Sequence, residues 1–339
     1  MKTRKLIILT EGGEEFGFGH IMRCLSICRH FEFFKFKVEF VVNGDSSICT
    51  VLEEYSLSLE NWLDNWLEND ILFTQLSSSD FILIDSLQVT DIFLQNIQKI
   101  DSNIIYIDDE KRRNILDKGF VIDWTILSSE KNYFFPRKNK VTYLLGSEYT
   151  PLRASFKGID RIQIAKEVET VFVSFGGADV RNLTPSVLKN LSYNFPNMKK
   201  NIVIGAGFTN IEEIKLFSDE NTNMVFNANA EEMVSLMSES DIAISSGGQT
   251  LYELGYLGIP TISILLVENA RDDTEGWAKV GAMDYIGNYK DKNLMIKLTE
   301  SIRQLKSQEK RKNMHASSEQ YIALDGGELI VNSILECSQ

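Results

Sequence analysis

A glycine-rich turn that ends on a histidine is the segment of the sequence best suited to chemistry. Gly17 and Gly19 lie three and one residues before His20, and Arg23 follows His20 by about one helical turn. Glycine allows positive φ and close approach of a ligand, while the amides at the start of a helix attract anions. The glycine spacing matches neither the dinucleotide fingerprint nor the phosphate loop that ends in Lys-Ser/Thr. Two interpretations follow: an anion site with His20 at its mouth, or a tight connection in which His20 caps the helix.

The neighbouring patterns place this turn between a strand and a helix. The apolar segment 5–9 predicts a short buried strand, and apolar residues recur at helical spacing from Ile21 onward. Asp85 ends another apolar run, and Asp108 and Asp109 follow a third. In open α/β sheets ligands lie beyond the carboxyl ends of the strands, so these acids are expected near the glycine turn. Each acid could instead cap a loop or a helix.

Strand patterns alternate with helical patterns along the whole chain, which is typical of α/β domains with largely parallel sheets. A length of 339 residues agrees with two such domains. We place the boundary at residue 150: domain 1–150 carries the glycine turn, and domain 151–339 ends in a helix that could pack back on the first. Segment 46–79 is expected to be helical. The predicted strands lie at 5–9, 37–42, 81–85, 103–107, 121–127, 141–145, 170–174, 201–204, 224–226, 241–245 and 260–265.

Two further glycine turns, in the second half of the chain, connect strands to helices. The first contains Gly176 and Gly177. In the second, the amides at the helix start and the neighbouring hydroxyls could hold a diphosphate, and Glu253 one turn later could accept hydrogen bonds from a ribose. The alternative is an ordinary strand-to-helix turn with Glu253 on a solvated face. The second turn consists of Ser245, Ser246, Gly247, Gly248, Gln249 and Thr250.

Composition and charge restrict the kind of ligand. The formal net charge of −13 disfavours a nucleic-acid or anionic-membrane surface, because both need a basic face. No apolar run approaches a membrane span, and the apolar run near the N-terminus is too short for a signal peptide. The four cysteines fit free thiols, and the sequence lacks a Cys/His set at metal-ligand spacing. We therefore expect a cytoplasmic protein that acts on a small molecule and uses neither a metal nor a cofactor.

Several sequence blocks, taken in order, resemble the nucleotide-sugar hydrolases of pseudaminic acid biosynthesis and their spore-coat polysaccharide relatives. Members of the hydrolase family cleave a UDP-linked 2,4-diacetamido-2,4,6-trideoxy sugar and are related to glycosyltransferases of the GT-B fold. The similarity covers roughly residues 5–290. The blocks are GFGHIMR at 17–23, FILID at 81–85, IDDE at 107–110, YTPLR at 149–153, SFGGAD at 174–179, ISSGG at 244–248 with Glu253, and EN at 268–269 with Trp277 and Ala278.

The resemblance implies a GT-B-like fold, in which two Rossmann-like α/β domains face each other across a cleft. It gives His20 the catalytic position, where the imidazole orients or deprotonates the water that attacks the anomeric carbon; a neutral imidazole is available for this at pH 7. Helix N-termini would stabilise the departing diphosphate, so that no metal is required. The family's sugar side corresponds to Gly17, Gly19, Arg23, Asp85 and Asn269. Its nucleotide side corresponds to Gly176, Gly177, Ser246, Gly247, Gly248, Gln249 and Thr250, with Glu253 on the ribose.

Three positions depart from the family pattern. After the strand-end Asp the family has His and Tyr, whereas this chain has Ser86 and Leu87, and Ala270 replaces a Gln that follows Asn269. All three belong to the sugar side. Two other functions therefore stay open: a glycosyltransferase that passes the sugar to an acceptor, and a protein that binds the nucleotide sugar without turnover. The leading interpretation is a hydrolase that releases UDP and a free amino-deoxy sugar for synthesis of a nonulosonic-acid-type surface glycan.

Overall fold

The chain divides into two compact units. A computed structural model describes residues 4–13, 17–63, 70–109, 112–113, 115–130 and 138–338. The first unit comprises Met1–Arg153 together with Asp325–Gln339, and the second comprises Ala154–Leu324. Each unit is built on one parallel sheet. The predicted fold class of two α/β domains is confirmed by these two sheets.

The sheet of the first unit has seven strands in the order β3-β2-β1-β4-β5-β6-β7. Their order reverses between β1 and β4, which is the position where open α/β sheets bind ligands beyond the strand ends. Thr10 of β1 pairs with Asp85 of β4, so Asp85 lies beside the start of the glycine turn. The strands are β1 Lys5–Gly12, β2 Lys37–Gly44, β3 Ser56–Leu59, β4 Phe81–Asp85, β5 Asn103–Ile107, β6 Gly119–Asp123 and β7 Val141–Leu145.

Helices cover the sheet of the first unit, and the first of them carries the histidine. Helix α1 spans Gly19–Phe33 and turns a face that includes Ile21, Cys24 and Phe31 into the core, as its apolar spacing predicts. It is followed by α2, Asp70–Ser77, and α3, Asp91–Ile97.

The expectation of a helix over 46–79 is wrong for part of that segment. Its alternating Ser-Leu-Ser-Leu sequence forms strand β3, which pairs in parallel with β2. Only Asp70–Ser77 is an α-helix. Residues 64–69 of the segment lie outside the described part of the chain.

The second unit repeats the arrangement with six strands in the order β10-β9-β8-β11-β12-β13. Here the strand order reverses between β8 and β11, and the two loops that follow these strands contain the predicted glycine turns. Strand β13 completes the sheet and was not among the predicted strands. The strands are β8 Thr170–Ser174, β9 Lys199–Ile204, β10 Thr222–Phe226, β11 Ile242–Ser246, β12 Thr261–Leu265 and β13 Met283–Asn288.

The remaining helices complete the two units. In the second unit they are α4 Thr184–Asn194, α5 Ile211–Leu216, α6 Ala230–Ser238, α7 Gln249–Leu257, α8 Arg271–Lys279, α9 Leu294–Leu305 and α10 Gln308–Glu319. The last helix, α11 Gly326–Cys337, belongs to the first unit, where Gly327 lies against His30 of α1. None of the described helices is both long enough and apolar enough to cross a bilayer.

Candidate functional site

His20 lies between two carboxylates at the carboxyl end of the first sheet. Its Nδ1 is 2.9 Å from Oδ1 of Asp85. Its Nε2 is 3.6 Å from Oε1 of Glu11, the residue that follows Thr10 in β1. Nη2 of Arg23 lies 3.2 Å from the same nitrogen, but it also donates to Oδ1 of Asp85. We assign the proton to Nδ1 because the shorter contact is with a carboxylate, which can only accept when ionised. The lone pair of a neutral His20 is therefore on Nε2, the nitrogen on the Glu11 side.

Asp85 is held by Arg23 as well as by His20. The Arg23 Nε donates to Oδ2 of Asp85 at 2.7 Å, and its Nη2 donates to Oδ1. Burial of Asp85 acts to raise the pKa of its carboxyl, but the charges of Arg23 and His20 outweigh burial and hold that pKa well below its usual range. Asp85 is therefore ionised at neutral pH and fixes both the tautomer and the ring orientation of His20.

Arg23 also contacts Asp109, which follows the neighbouring strand β5. Its Nη1 donates to Oδ2 of Asp109 at 2.6 Å, and its guanidinium carbon lies 5.2 Å from the centre of the Trp124 ring. A small pocket opens beside Arg23 and is lined in part by Ser86, Leu87 and Asp109. Of the three acids expected near the glycine turn, Asp85 contacts both His20 and Arg23, and Asp109 contacts Arg23.

Asp108 has the alternative role that the sequence left open, that of a loop cap. Its carboxylate accepts backbone N–H bonds from Arg112, at 2.8 Å, and from Arg113. Burial, assisted by the nearby charge of Asp109, raises the pKa of Asp108 to about 6. The network around His20 therefore contains Asp85 and Asp109, while Asp108 ties down the loop after β5.

Glu11 is a member of this site that the sequence analysis missed. The residue is only 3% exposed. Its Oε2 accepts a 2.6 Å hydrogen bond from Ser86 Oγ, and its Oε1 accepts a 3.1 Å bond from the Leu87 backbone N–H. These donors are the two positions at which the chain departs from the family's His-Tyr pair. An acid at a strand end followed by glycines was the available signal, but its partners could not be read from local sequence.

Two glycines of the turn, Gly17 and Gly19, border open space as far as the structure describes their surroundings. Gly17 has φ +77°, which favours glycine, and a Cβ on Gly17 or Gly19 would meet no atom of the described residues within 4 Å. Gly13 and Gly17 exchange backbone hydrogen bonds of 2.8 and 3.1 Å, which close the turn. Residues 14–16 of the predicted turn lie outside the described part of the chain.

The predicted nucleotide residues gather at the carboxyl end of the second sheet. A Cβ on Gly176, Gly177 or Gly248 would meet nothing within 4 Å, so all three border open space. Gly248 has φ +104° and precedes α7, whose N-terminus has no side-chain cap. Such a helix start directs amide N–H groups and the positive end of the helix dipole toward an anion. Ser246, Gly247, Gln249 and Thr250 are half-buried around it.

The other predicted residues of this edge differ in exposure. Asn269 is exposed in a short 3₁₀ turn after β12. Ala270 is packed so closely on Gly247 that a Cβ at 247 would come within 2.3 Å of the alanine methyl group, so only glycine fits there. Glu253 is 1% exposed in the second turn of α7. The assignment of Glu253 to a ribose therefore stays a prediction.

Arg181 is a cation at this edge that the sequence analysis did not single out. It lies in the loop after β8 that also contains Gly176 and Gly177. Its Nε donates to the carbonyl of Leu266 at 3.2 Å, and its guanidinium carbon is 4.7 Å from the centre of the Tyr289 ring. The ring and the carbonyl hold the cation at the carboxyl ends of β12 and β13. An arginine shortly after a Gly-Gly pair was the signal that could have found it.

Comparison with known proteins adds a family match and several relatives. Residues 170–326 match the Glycosyltransferase family 28 C-terminal domain. The chain is 29% identical to an uncharacterized protein of Methanocaldococcus jannaschii, over 81% of this chain and 58% of that protein. It is 23% identical to the spore coat polysaccharide biosynthesis protein SpsG of Bacillus subtilis, over 81% of each chain.

A third relative carries two activities in its name. The chain is 27% identical, over 75% of its length, to the pseudaminic acid cytidylyltransferase and UDP-2,4-diacetamido-2,4,6-trideoxy-beta-L-altropyranose hydrolase of Helicobacter pylori. The match covers 43% of that protein. The chain thus spans little more than half of the Methanocaldococcus relative and less than half of the Helicobacter one.

Solved structures agree on the fold. MurG of Acinetobacter baumannii superposes with a TM-score of 0.66 at 12% identity, covering 98% of this chain and 99% of that one. The UDP co-structure of MnaA from S. aureus gives a TM-score of 0.65 at 13% identity, covering 98% and 96%. The chain therefore has a GT-B-like fold of two parallel-sheet α/β domains and is glycosyltransferase-like in its second unit.

Proposed function

We propose that the protein is a nucleotide-sugar hydrolase, which releases UDP and a free 2,4-diacetamido-2,4,6-trideoxy-type sugar for surface-glycan biosynthesis. The observation that carries the proposal is the contact between His20 Nδ1 and Asp85 Oδ1 at 2.9 Å. It leaves Nε2 as the basic nitrogen of an imidazole at the mouth of an open glycine turn. The names of the Helicobacter and Bacillus relatives support the substrate class and the pathway.

In the proposed reaction His20 acts as a general base toward water. The water oxygen forms a bond to the anomeric carbon, and one of its protons moves to His20 Nε2. The bond between the anomeric carbon and the diphosphate oxygen breaks, and its electron pair leaves with UDP. Asp85 stabilises the imidazolium that forms, because a carboxylate at Nδ1 gains a charged partner at that moment.

We assign the UDP group to the carboxyl edge of the second sheet. The uncapped start of α7 and the glycine turn after β8 offer amides to the diphosphate. Ser246 and Thr250 add hydroxyls, Glu253 is the proposed partner of the ribose, and Asn269 that of the sugar. Arg181 supplies a positive charge for the leaving group, so that the negative charge that develops on UDP is stabilised by groups already in place.

Glycosyl transfer is the second candidate function. The match of 170–326 to a glycosyltransferase domain favours it, as does the loss of the family's His-Tyr pair at Ser86 and Leu87. In that case an acceptor hydroxyl, and not water, would give its proton to His20.

Hydrolysis is tested by supplying UDP-linked acetamido sugars in ¹⁸O-labelled water and analysing both products by mass spectrometry at early times. Label on the anomeric oxygen of the free sugar is the expected result. Label on UDP would mean attack at phosphorus and would overturn the His20 mechanism. Release that requires an added acceptor would establish transfer, and UDP binding without release would establish a binding protein.

Arg181→Ala should weaken UDP binding by about 10- to 100-fold, since a charge-assisted hydrogen bond contributes about 1.5–3 kcal/mol. The binding of uridine, which lacks the diphosphate, should hardly change. Isothermal titration calorimetry with both ligands measures the difference.

Arg303→Ala is the matched control for this change. It removes the same charge from the exposed face of α9 and should leave both affinities unaltered. Equal affinities of wild-type protein and Arg181→Ala for UDP would remove Arg181 from the diphosphate site.

A further inference from the structure

We propose that Glu11 is a second catalytic residue, which together with His20 holds and orients the attacking water. This inference rests on the hydrolase function proposed above and names a group that the function does not require. The carboxylate lies at the carboxyl end of β1, in the same network as His20 but on the opposite side of the ring from Asp85. Nothing in the local sequence marks it beyond an acid before a Gly-Gly pair.

The distance between Glu11 and His20 fits a bridging water better than a direct bond. Oε1 of Glu11 and Nε2 of His20 are 3.6 Å apart, beyond the usual 2.7–3.2 Å of an N–H···O hydrogen bond. Polar atoms at such a separation are commonly joined by a water molecule. A water that donates one hydrogen to Nε2 and the other to Oε1 would direct its lone pairs away from both, toward an incoming anomeric carbon.

The surroundings of Glu11 hold its carboxylate in this position. Ser86 Oγ donates to Oε2 at 2.6 Å, and the Leu87 N–H donates to Oε1 at 3.1 Å. Both bonds fix the position of the carboxylate group. Each carboxylate oxygen accepts more than one hydrogen bond, so Oε1 can keep Leu87 and also take a water.

The reaction step balances with Glu11 as an acceptor that does not itself take the proton. The proton that bonds to Nε2 is transferred as the water oxygen attacks the anomeric carbon. The other hydrogen stays on the oxygen, bonded to Oε1, and becomes part of the new sugar hydroxyl. The electron pair of the broken bond leaves with UDP, and the imidazolium is then flanked by Asp85 and Glu11.

A purely structural role for Glu11 makes different predictions. In that case the carboxylate only ties the loop after β4 to β1 through Ser86 and Leu87. Glu11→Gln keeps the size and one acceptor oxygen but removes the charge. Removing a charge 3.6 Å from Nε2 should change the ¹⁵N chemical shift of that nitrogen if the two groups face each other directly.

The first measurement compares the ¹⁵N chemical shifts of the imidazole nitrogens by NMR at one fixed pH, without substrate. The chain has three histidines, so His30→Gln and His315→Gln identify the His20 signals. Among the described residues, the charged groups that face His20 are Glu11 from β1, Arg23 from α1 and Asp85 from β4, while Asp109 acts on Arg23 and the Cys24 thiol acts on Asp85. Of these groups, Glu11→Gln changes Glu11 alone. A shifted Nε2 signal in this variant is expected, and an unchanged signal overturns the proposal.

The second measurement is steady-state UDP release across pH. For Glu11→Gln we expect kcat to fall about 10- to 100-fold across the pH range, with KM within about threefold. Ser86→Ala, which removes one support of the carboxylate, should give a smaller fall in kcat. Glu53→Gln, an exposed carboxylate of the same unit, is the matched control and should match the wild type.

The outcomes separate this proposal from the proposed function. Wild-type release of UDP with an unchanged kcat in Glu11→Gln overturns the role of Glu11 and leaves hydrolysis standing. No release by the wild-type protein overturns both, while the NMR comparison still reports whether the two groups interact. Thermal melting of each variant identifies any loss of kcat that comes from unfolding.

Discussion

His20→Gln is expected to reduce UDP release by about 10³-fold while UDP affinity stays within about twofold of the wild type. General base catalysis contributes about 10²- to 10⁴-fold, and glutamine cannot accept a proton from water at neutral pH. The nucleotide is assigned to the other unit of the chain, so its affinity should not depend on this side chain. Steady-state kinetics and calorimetry with UDP measure the two quantities.

The matched control for this prediction is His30→Gln on the same helix. His30 lies in the last turn of α1, against Gly327 of α11, whereas His20 lies at the start of that helix. It should retain the wild-type kcat. A His20→Gln variant that still turns over at more than a tenth of the wild-type rate would mean that another group activates the water.

Most strands, and the position of Asp85 beside the glycine turn, could be predicted because both follow from local sequence patterns. Short apolar runs that end at glycine or acidic residues predict buried strands. Parallel strands have their carboxyl ends at the same edge of the sheet. Asp85 therefore lies beside the glycine turn. His20 and Arg23, which are three residues apart on one face of α1, both contact it. Side chains three residues apart on a helix lie on the same face.

Other features depend on contacts that no local pattern contains. Strand β3 is short and half-polar, and its Ser-Leu alternation fits a strand only because β2 lies beside it. Strand β13 contains Gly287, and its two buried residues, Met283 and Ile286, are three positions apart, a spacing that a weak helix pattern also shows. In both cases pairing in the sheet decides the conformation.

Glu11 could not be assigned for a related reason. Its partners, Ser86 and Leu87, come from the loop after β4, and only the adjacency of β1 and β4 brings them to it. The sequence comparison marked 86 and 87 as departures from the family pattern. In the structure, the Ser86 hydroxyl and the Leu87 backbone N–H both donate to Glu11, the carboxylate that faces His20.

Arg23→Met is expected to destabilise the folded protein by about 3–5 kcal/mol at pH 7, because it leaves the Asp85 charge buried without its main partner. Asp85 is fully buried, whereas methionine fills the volume of arginine without its charge. Urea denaturation of both proteins gives the difference. Lys215→Met is the matched control: Lys215 pairs with Glu212 at an exposed site, and the change should cost less than about 1 kcal/mol.

The pH dependence of this loss distinguishes the ion pair from simple packing. The folded pKa of Asp85 is held below the value of about 3.9 that an unfolded Asp has, so the pair stabilises the fold above that pH. Its contribution declines as pH falls through that value toward the folded pKa. The difference between wild type and Arg23→Met should therefore be largest near neutrality and shrink as pH falls below about 4. A difference that stays constant with pH would assign the effect to lost packing, and Asp85 would then not be the charge that Arg23 compensates.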